Sequence, residues 1–210
     1  MKYSSLDLAI REAVFNKLGG REGVRAFLRD EQRLAPVAFA RNKHNHIVIT
    51  LEGLGLTGSE EVDRLIGAGV YLDRWAQSCL LSKTKDSYDK NHRLAFGMQY
   101  KIVLMPTCEL DDTDRTTSTL CERGFRKYGY VKPIGGLVPH ICLSVSDKQM
   151  EDIGALFIVV PHDPIIDSDG DPRVLSARRG GGGPWLDVGR DHPAYRWRDY
   201  GAFAFLVPAS

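Results

Sequence analysis

Cysteine pairs at metal-ligand spacing are missing from this chain. Cys79, Cys108, Cys121 and Cys142 stand far apart and form no CxxC. That excludes a sequence-local zinc knuckle and the disulfide framework of a small secreted domain, and it fits thiols kept reduced. Long apolar runs are missing too. The longest, Ala155 to Val160, falls far short of the roughly 20 residues needed to cross a bilayer, so no membrane partner is expected. At the start of the chain, Asp7, Arg11 and Glu12 interrupt the apolar stretch that a secretory signal needs, and a cytoplasmic protein is expected. Charge of one sign is not in excess. Lys and Arg number 28 against 27 Asp and Glu, a net charge of +1, so no global field draws the chain to nucleic acid or membrane. A G-x-S-x-G elbow, a Walker loop and an HExxH helix are all absent, which removes the catalytic classes those motifs announce. Whether the chain is an enzyme is left open by its sequence.

What is present describes an ordinary globular chain. It has 210 residues, 43% of them hydrophobic and 26% charged, enough for one domain over residues 1–210 with its own core. Helical spacing marks Leu6 to Phe15, Glu22 to Glu31, Val62 to Ile66, Leu72 to Leu80, Asp111 to Tyr128 and Ser146 to Ile153. β-branched runs mark strands at Val37–Ala40, HIVITL (46–51), QYKIVLM (99–105) and Ile141–Val145. Ser82 to Arg93 reads as a long polar loop. After residue 155 the texture changes: LFIVVPHDPI, RVLSARR, PWLDVGR and GAFAFLVP are joined by the turn-forming DSDGD, GGGG and DHPAYRWRDY. Strands alternating with turn chemistry predict a C-terminal β-meander. The expected fold is therefore α+β, with helices from 1–155 packed on a mainly antiparallel sheet built largely from 156–210.

Three constellations carry candidate chemistry. Gly53, Gly55 and Gly58 spell G-x-G-x-x-G between a strand and a helix, the local setting of a nucleotide-binding turn. The wider unit is incomplete: a second helix follows where a parallel strand should, and Glu60 and Glu61 stand where a pyrophosphate would dock. Asp167, Asp169 and Asp171 in DSDGD, with His162 and Asp163 before them, offer hard oxygen donors for Ca²⁺ or Mg²⁺ and the outline of a metal-dependent hydrolase. The EF-hand spacing is not met, and Asp-Gly between strands is also an ordinary hairpin turn. Arg173, Arg178, Arg179, Arg190, Arg196 and Arg198 interleave with Trp185, Tyr195, Trp197 and Tyr200. Arginine beside aromatics can hold phosphate and stack bases. Arg173, Arg178, Arg179, Trp185, Arg196 and Trp197 are the residues assigned to such a face, although Asp187, Asp191 and Asp199 sit among them.

Smaller signals point elsewhere. Glu60 to Leu80 has the outline of a helix-turn-helix, and a packed helical hairpin explains it equally. His44-Asn45-His46 reads as a polar loop ahead of a strand. Arg115, Thr116 and Thr117 fall in an expected first helical turn that could hold an anion, with three aspartates nearby favouring a cap. The leading functional expectation is a non-catalytic binding or accessory protein, its partner nucleic acid or protein, and its surface the C-terminal arginine–aromatic face.

The strings DRTTSTLCERGFRKYGYVKP, SDKQMEDIGALFIVVPHDPIIDSDGDPRVL and the closing GAFAF resemble a group of bacterial proteins from environmental genomes that are described only as hypothetical. The resemblance runs from Gly58 to the C-terminus, and PHDPI-x-DSDGDP is its most distinctive part. It implies a bacterial source and one coherent unit, and it brings no activity, cofactor or catalytic residue with it.

Overall fold

Strict alternation along the strands sets the layering. The structure, a computed structural model, describes residues 39–180, 182–190 and 194–208. The chain divides between Ala38 and Phe39, and all described residues belong to the second unit. The helices expected at Leu6 to Phe15 and Glu22 to Glu31, and most of the strand expected at Val37–Ala40, lie outside the described residues. The end of that strand is β1 (Ala40–Arg41), followed by β2 (Ile47–Glu52), β3 (Tyr71–Leu72), β4 (Gln99–Pro106), β5 (Phe157–Val159), β6 (Ile165–Ile166), β7 (Pro172–Gly180), β8 (Gly183–Arg190) and β9 (Gly201–Leu206). They form one nine-stranded sheet in the order β1-β2-β4-β9-β5-β7-β8-β3, with β6 paired to β7. Among the described residues only β3 with β8 and β5 with β9 pair in parallel.

The fold is α+β on a mostly antiparallel sheet. β5, β7 and β8 follow one another as antiparallel neighbours, in the manner of a meander. The closing strand does not continue beside β8. β9 inserts between β4 and β5, because its alternating small and large residues match the sheet centre. Ala202 and Ala204 join one apolar cluster with Ile102, Leu104, Ile158, Leu175 and Ala177. Phe203 and Phe205 join the opposite cluster with Val103, Met105, Val159 and Val174. Successive side chains on a strand point to opposite faces, so both faces of these central strands are buried.

Helices close the first face. They are α1 (Gly58–Gly67), α2 (Arg74–Leu81), α3 (Tyr88–Asn91), α5 (Leu137–Ser144) and α6 (Asp147–Asp152), while α4 (Thr117–Glu122) lies with the second. Thr57 caps α1 in a capping box with Glu60, and Ser146 caps α6 in another with Gln149, as the Ser/Thr-x-x-Glu/Gln spacing predicts. Four expectations change. The helix expected from Asp111 begins at Thr117, because the Thr116 side chain is the acceptor that caps it; it continues as a π-helix over Arg123–Lys127. The strand expected at Ile141–Val145 is helical, since Pro139 sits in the first turn of α5, where its missing N–H costs nothing. α3 interrupts the polar loop at 82–93. Between α1 and α2 stands β3, so Glu60 to Leu80 is not a helix-turn-helix.

Candidate functional site

The G-x-G-x-x-G turn is filled by the protein's own acids. The Gly58 N–H donates to Asp89 Oδ1 at 2.7 Å, and the Thr57 N–H donates to Glu60 Oε2 at 2.7 Å. The donors that would hold a phosphate are already satisfied by carboxylates. Arg93 donates to the Gly55 and Leu56 carbonyls and fixes the loop. Burial works to raise the Asp89 carboxyl, yet the Gly58 N–H and Lys83 outweigh it and hold it below the usual aspartate value. Gly58 is needed for packing: a Cβ there would lie 1.8 Å from the Leu80 carbonyl oxygen. The nucleotide assignment to Gly53, Gly55 and Gly58 is therefore corrected to a close-packed strand-to-helix turn.

The acidic loop is likewise self-contained. Asp167 Oδ1 accepts from the N–H groups of Asp169 at 2.9 Å and Asp171 at 3.0 Å, and Oδ2 accepts from Arg173 Nε at 2.7 Å. Arg173 Nη2 also donates to Asp171 Oδ2 at 3.0 Å. Asp167 and Arg173 are both buried. Burial raises the Asp167 carboxyl, but Arg173 and the two backbone donors together bring it below its ordinary value. The turn itself comes from Gly170 at φ +87°, a conformation glycine adopts without cost. His162 is committed elsewhere: its Nδ1–H donates to the Asp163 carbonyl at 2.6 Å, and its Nε2 accepts from the Leu175 N–H at 2.8 Å. Burial and the neighbouring His92 push its pKa down to about 3, so the ring is neutral and has no free lone pair. The Asp163 side chain pairs with Lys132. Among the described residues no three His, Cys, Asp or Glu side chains converge as metal ligands. The Ca²⁺ or Mg²⁺ site assigned to His162, Asp163, Asp167, Asp169 and Asp171 is thus replaced by an Asp167-capped turn locked by an arginine.

The six residues assigned to the arginine–aromatic face divide between the two sides of the sheet. Arg173 and Arg179 alternate with Leu175 and Ala177 toward the helical side. Arg173 stacks 5.3 Å from the Trp75 ring, and Arg179 pairs with Glu151 on α6 at 3.8 Å. They do not belong to a common binding face with the rest. On the second side, Arg178 lies directly across the ladder from Trp185, 5.4 Å from its ring, and pairs with Asp187 at 3.1 Å. Trp185 in turn stacks on Tyr71, with centroids 5.0 Å apart.

Further along that side the segment 194–200 crosses the sheet and makes a cleft. It is pinned at several points. Trp197 donates from its backbone N–H to the Arg115 carbonyl at 2.8 Å and from Nε1 to Thr117 Oγ1 at 3.0 Å. The buried Thr107 hydroxyl donates to the Arg198 carbonyl at 2.6 Å and accepts from the Gly201 N–H at 3.2 Å. Two adjoining cavities flank the segment. One, of about 450 Å³, is lined by Phe157, Arg178, Asp187, Tyr195, Arg198 and Tyr200 among others. The second, of about 550 Å³, is lined by Asp112, Arg115 and Arg196 together with residues of the first. Tyr195, Trp197, Arg198 and Tyr200 line both. Of the assigned residues, Arg178, Arg196 and Trp197 therefore reach the cleft. Phe157 is a member that the sequence did not offer: it comes from a strand far along the chain, and no spacing signals it.

The His44-Asn45-His46 turn holds a second polar constellation. The Asn42 amide donates to Tyr130 Oη at 2.7 Å, which leaves the phenol proton for His46 Nδ1 at 2.6 Å. His46 Nε2–H meets Glu109, and Tyr128 donates to the other Glu109 oxygen at 2.5 Å. Burial raises the Tyr130 phenol, so it stays protonated. Both His46 nitrogens are occupied, and none of these five residues lines a cavity described above. The network ties the β1–β2 turn to the 3-10 turn Thr107–Glu109 and to the end of the π-helix. Together these features make the cleft beside 194–200 the candidate site. No family model matches the sequence, and neither the curated proteins nor the solved structures yield a match.

Proposed function

We propose that this chain is a non-catalytic binding protein that contacts nucleic acid through the arginine–aromatic cleft beside residues 194–200. The observation that carries the reading is the pair of joined cavities sharing Tyr195, Trp197, Arg198 and Tyr200. Arginines flanked by aromatic rings supply what such a ligand needs: guanidinium for phosphate and ring faces for bases. Charge supports it locally, where net composition does not. Arg178 is neutralised by Asp187. Arg196 donates to the Thr113 and Ala194 carbonyls, and neither it nor Arg198 forms an ion pair among the described residues, so both keep their charge. A reducing, cytoplasmic compartment suits the thiols of Cys79, Cys108 and Cys142; burial pushes the Cys79 and Cys142 pKa values up to about 12, which leaves them unreactive. The bacterial source implied by the sequence resemblance belongs to the same proposal. No described helix is long and apolar enough to cross a membrane.

Fluorescence anisotropy with labelled single- and double-stranded oligonucleotides tests the reading. Binding at low salt that weakens steeply as salt rises is expected, because phosphate contacts release counterions. Absence of binding to both at low salt removes nucleic acid as the partner, and a pull-down that captures a protein at the same face would replace it.

A further inference from the structure

The two cavities differ in lining, and the difference assigns a ligand geometry. This step rests on the nucleic-acid reading and deepens it. The cavity of about 450 Å³ carries four aromatic rings, Phe157, Tyr195, Trp197 and Tyr200, beside the Arg178–Asp187 pair. Tyr195 and Tyr200 remain 48% and 45% exposed, so each keeps much of its surface uncovered. Trp197 is nearly buried and meets Tyr195 edge-on at 4.8 Å and Phe157 at 5.5 Å, so the cavity floor is held rigid. Exposed rings on a rigid floor gain from stacking a flat partner and lose little conformational entropy in doing so.

The adjoining cavity of about 550 Å³ is cationic. Three arginines, Arg115, Arg196 and Arg198, face two aspartates, Asp112 and Asp199. Both acids lean on Arg115: Asp112 contacts it directly, and Asp199 lies 4.0 Å away. Arg196 and Arg198 are left without a carboxylate among the described residues. Arg115 is itself nearly buried, at 6% exposure, and its Nε–H has no hydrogen-bond partner. A buried guanidinium donor left unmade is costly, but this one is closed off from solvent; the charge open to an anion is that of the exposed Arg196 and Arg198.

The geometry points to a single-stranded nucleic acid bound as a nucleotide across both cavities, its base against Tyr195 and Tyr200 and its phosphate at Arg196 and Arg198. A duplex would present only backbone and base edges, which stack on no ring. The shared residues Tyr195, Trp197, Arg198 and Tyr200 set the two subsites side by side, as a base and its own phosphate require.

Binding of four probes to the full chain tests this: an oligothymidylate 12-mer, the same 12-mer without bases, a duplex of equal length, and thymidine monophosphate. The normal strand should bind at least tenfold more tightly than the abasic strand and the duplex, and much more tightly than the monophosphate. Tyr200→Ala should weaken the normal strand about tenfold while leaving the abasic strand unchanged. Arg198→Gln should weaken both strands and lower the slope of log affinity against log salt by about one. Circular dichroism checks that each variant is folded. Equal binding of normal and abasic strands overturns the base subsite while leaving phosphate contact, and with it the broader reading, intact. A duplex bound as tightly as the strand overturns the single-strand assignment in the same way. A monophosphate bound as tightly as the 12-mer replaces the strand by a free nucleotide. If none of the probes binds, both this inference and the nucleic-acid reading fail together.

Discussion

The acidic loop Asp167–Asp171 and the segment 194–200 are both dense in charge, and they differ in what their charges meet. In the loop, each Asp167 oxygen is matched to a donor from the same hairpin, and Arg173 closes the set. In the segment, Arg196 and Arg198 meet carbonyls or open cavity and no carboxylate among the described residues. Buried charges persist only where they are paired and hydrogen-bonded. A fully matched cluster therefore signals structure, whereas Arg196 and Arg198 are exposed and keep their charge toward solvent, where the proposed partner would meet them. Charge density in the sequence is the same cue in both places; only the count of satisfied atoms separates them.

The largest expected effect tests the structural side of that contrast. Asp167→Ala should cost about 3 kcal/mol, because it removes the acceptor of two backbone N–H groups and leaves the buried Arg173 with Asp171 as its remaining carboxylate; urea denaturation at unchanged m reads it. If the variant loses less than about 1 kcal/mol, the loop is not the lock described here. Gly58→Ala should cost about 3 kcal/mol by forcing a Cβ onto the Leu80 backbone, with a matching fall in melting temperature. Thr107→Val removes a buried hydroxyl that holds the cleft segment. It should cost about 1 to 3 kcal/mol, and oligonucleotide affinity should fall with it if that segment is the binding wall.

Acid sharpens the comparison further. His162 is held neutral in the fold down to about pH 3, whereas in the unfolded chain it titrates at about 6.5. Below about 6.5 the unfolded state takes up a proton that the folded state refuses, so stability falls as pH falls. The loss should be about 1 kcal/mol at one unit below that point. Burial lowers the His92 value as well, so it adds to the same window. Asp167 acts later: its folded value lies below the ordinary one, so its contribution is present above about pH 3.9 and is lost as the pH falls through the folded value. Stability measured from pH 7 to pH 4 should decline, and His162→Gln should flatten the decline. Least of all is expected from Arg126→Gln. Arg126 is an exposed i,i+4 partner of Glu122 on the π-helix, and neither stability nor oligonucleotide affinity should change measurably.

The sequence by itself determined the fold class, most strand and helix positions after Phe39, and the cap at Thr57. These are local matters of periodicity, β-branching and side-chain-to-backbone reach, and neighbours in the chain carry them. It also marked 194–198 as rich in arginine and aromatics. It did not place Phe157 or Arg115 beside them, because those come from a strand and a turn that the chain supplies separately. Nor did it show that Arg173 and Arg179 turn to the opposite side, since the period-2 alternation of β7 tells inward from outward only once both faces of the sheet are covered. The G-x-G-x-x-G and DSDGD motifs were legible as candidates, and tertiary structure decided against both. Asp89 reaches Gly58 across 31 positions, and the Asp167 oxygens are all spoken for. Whether a polar group is free to bind is a property of every atom around it, and only the folded chain brings those atoms together.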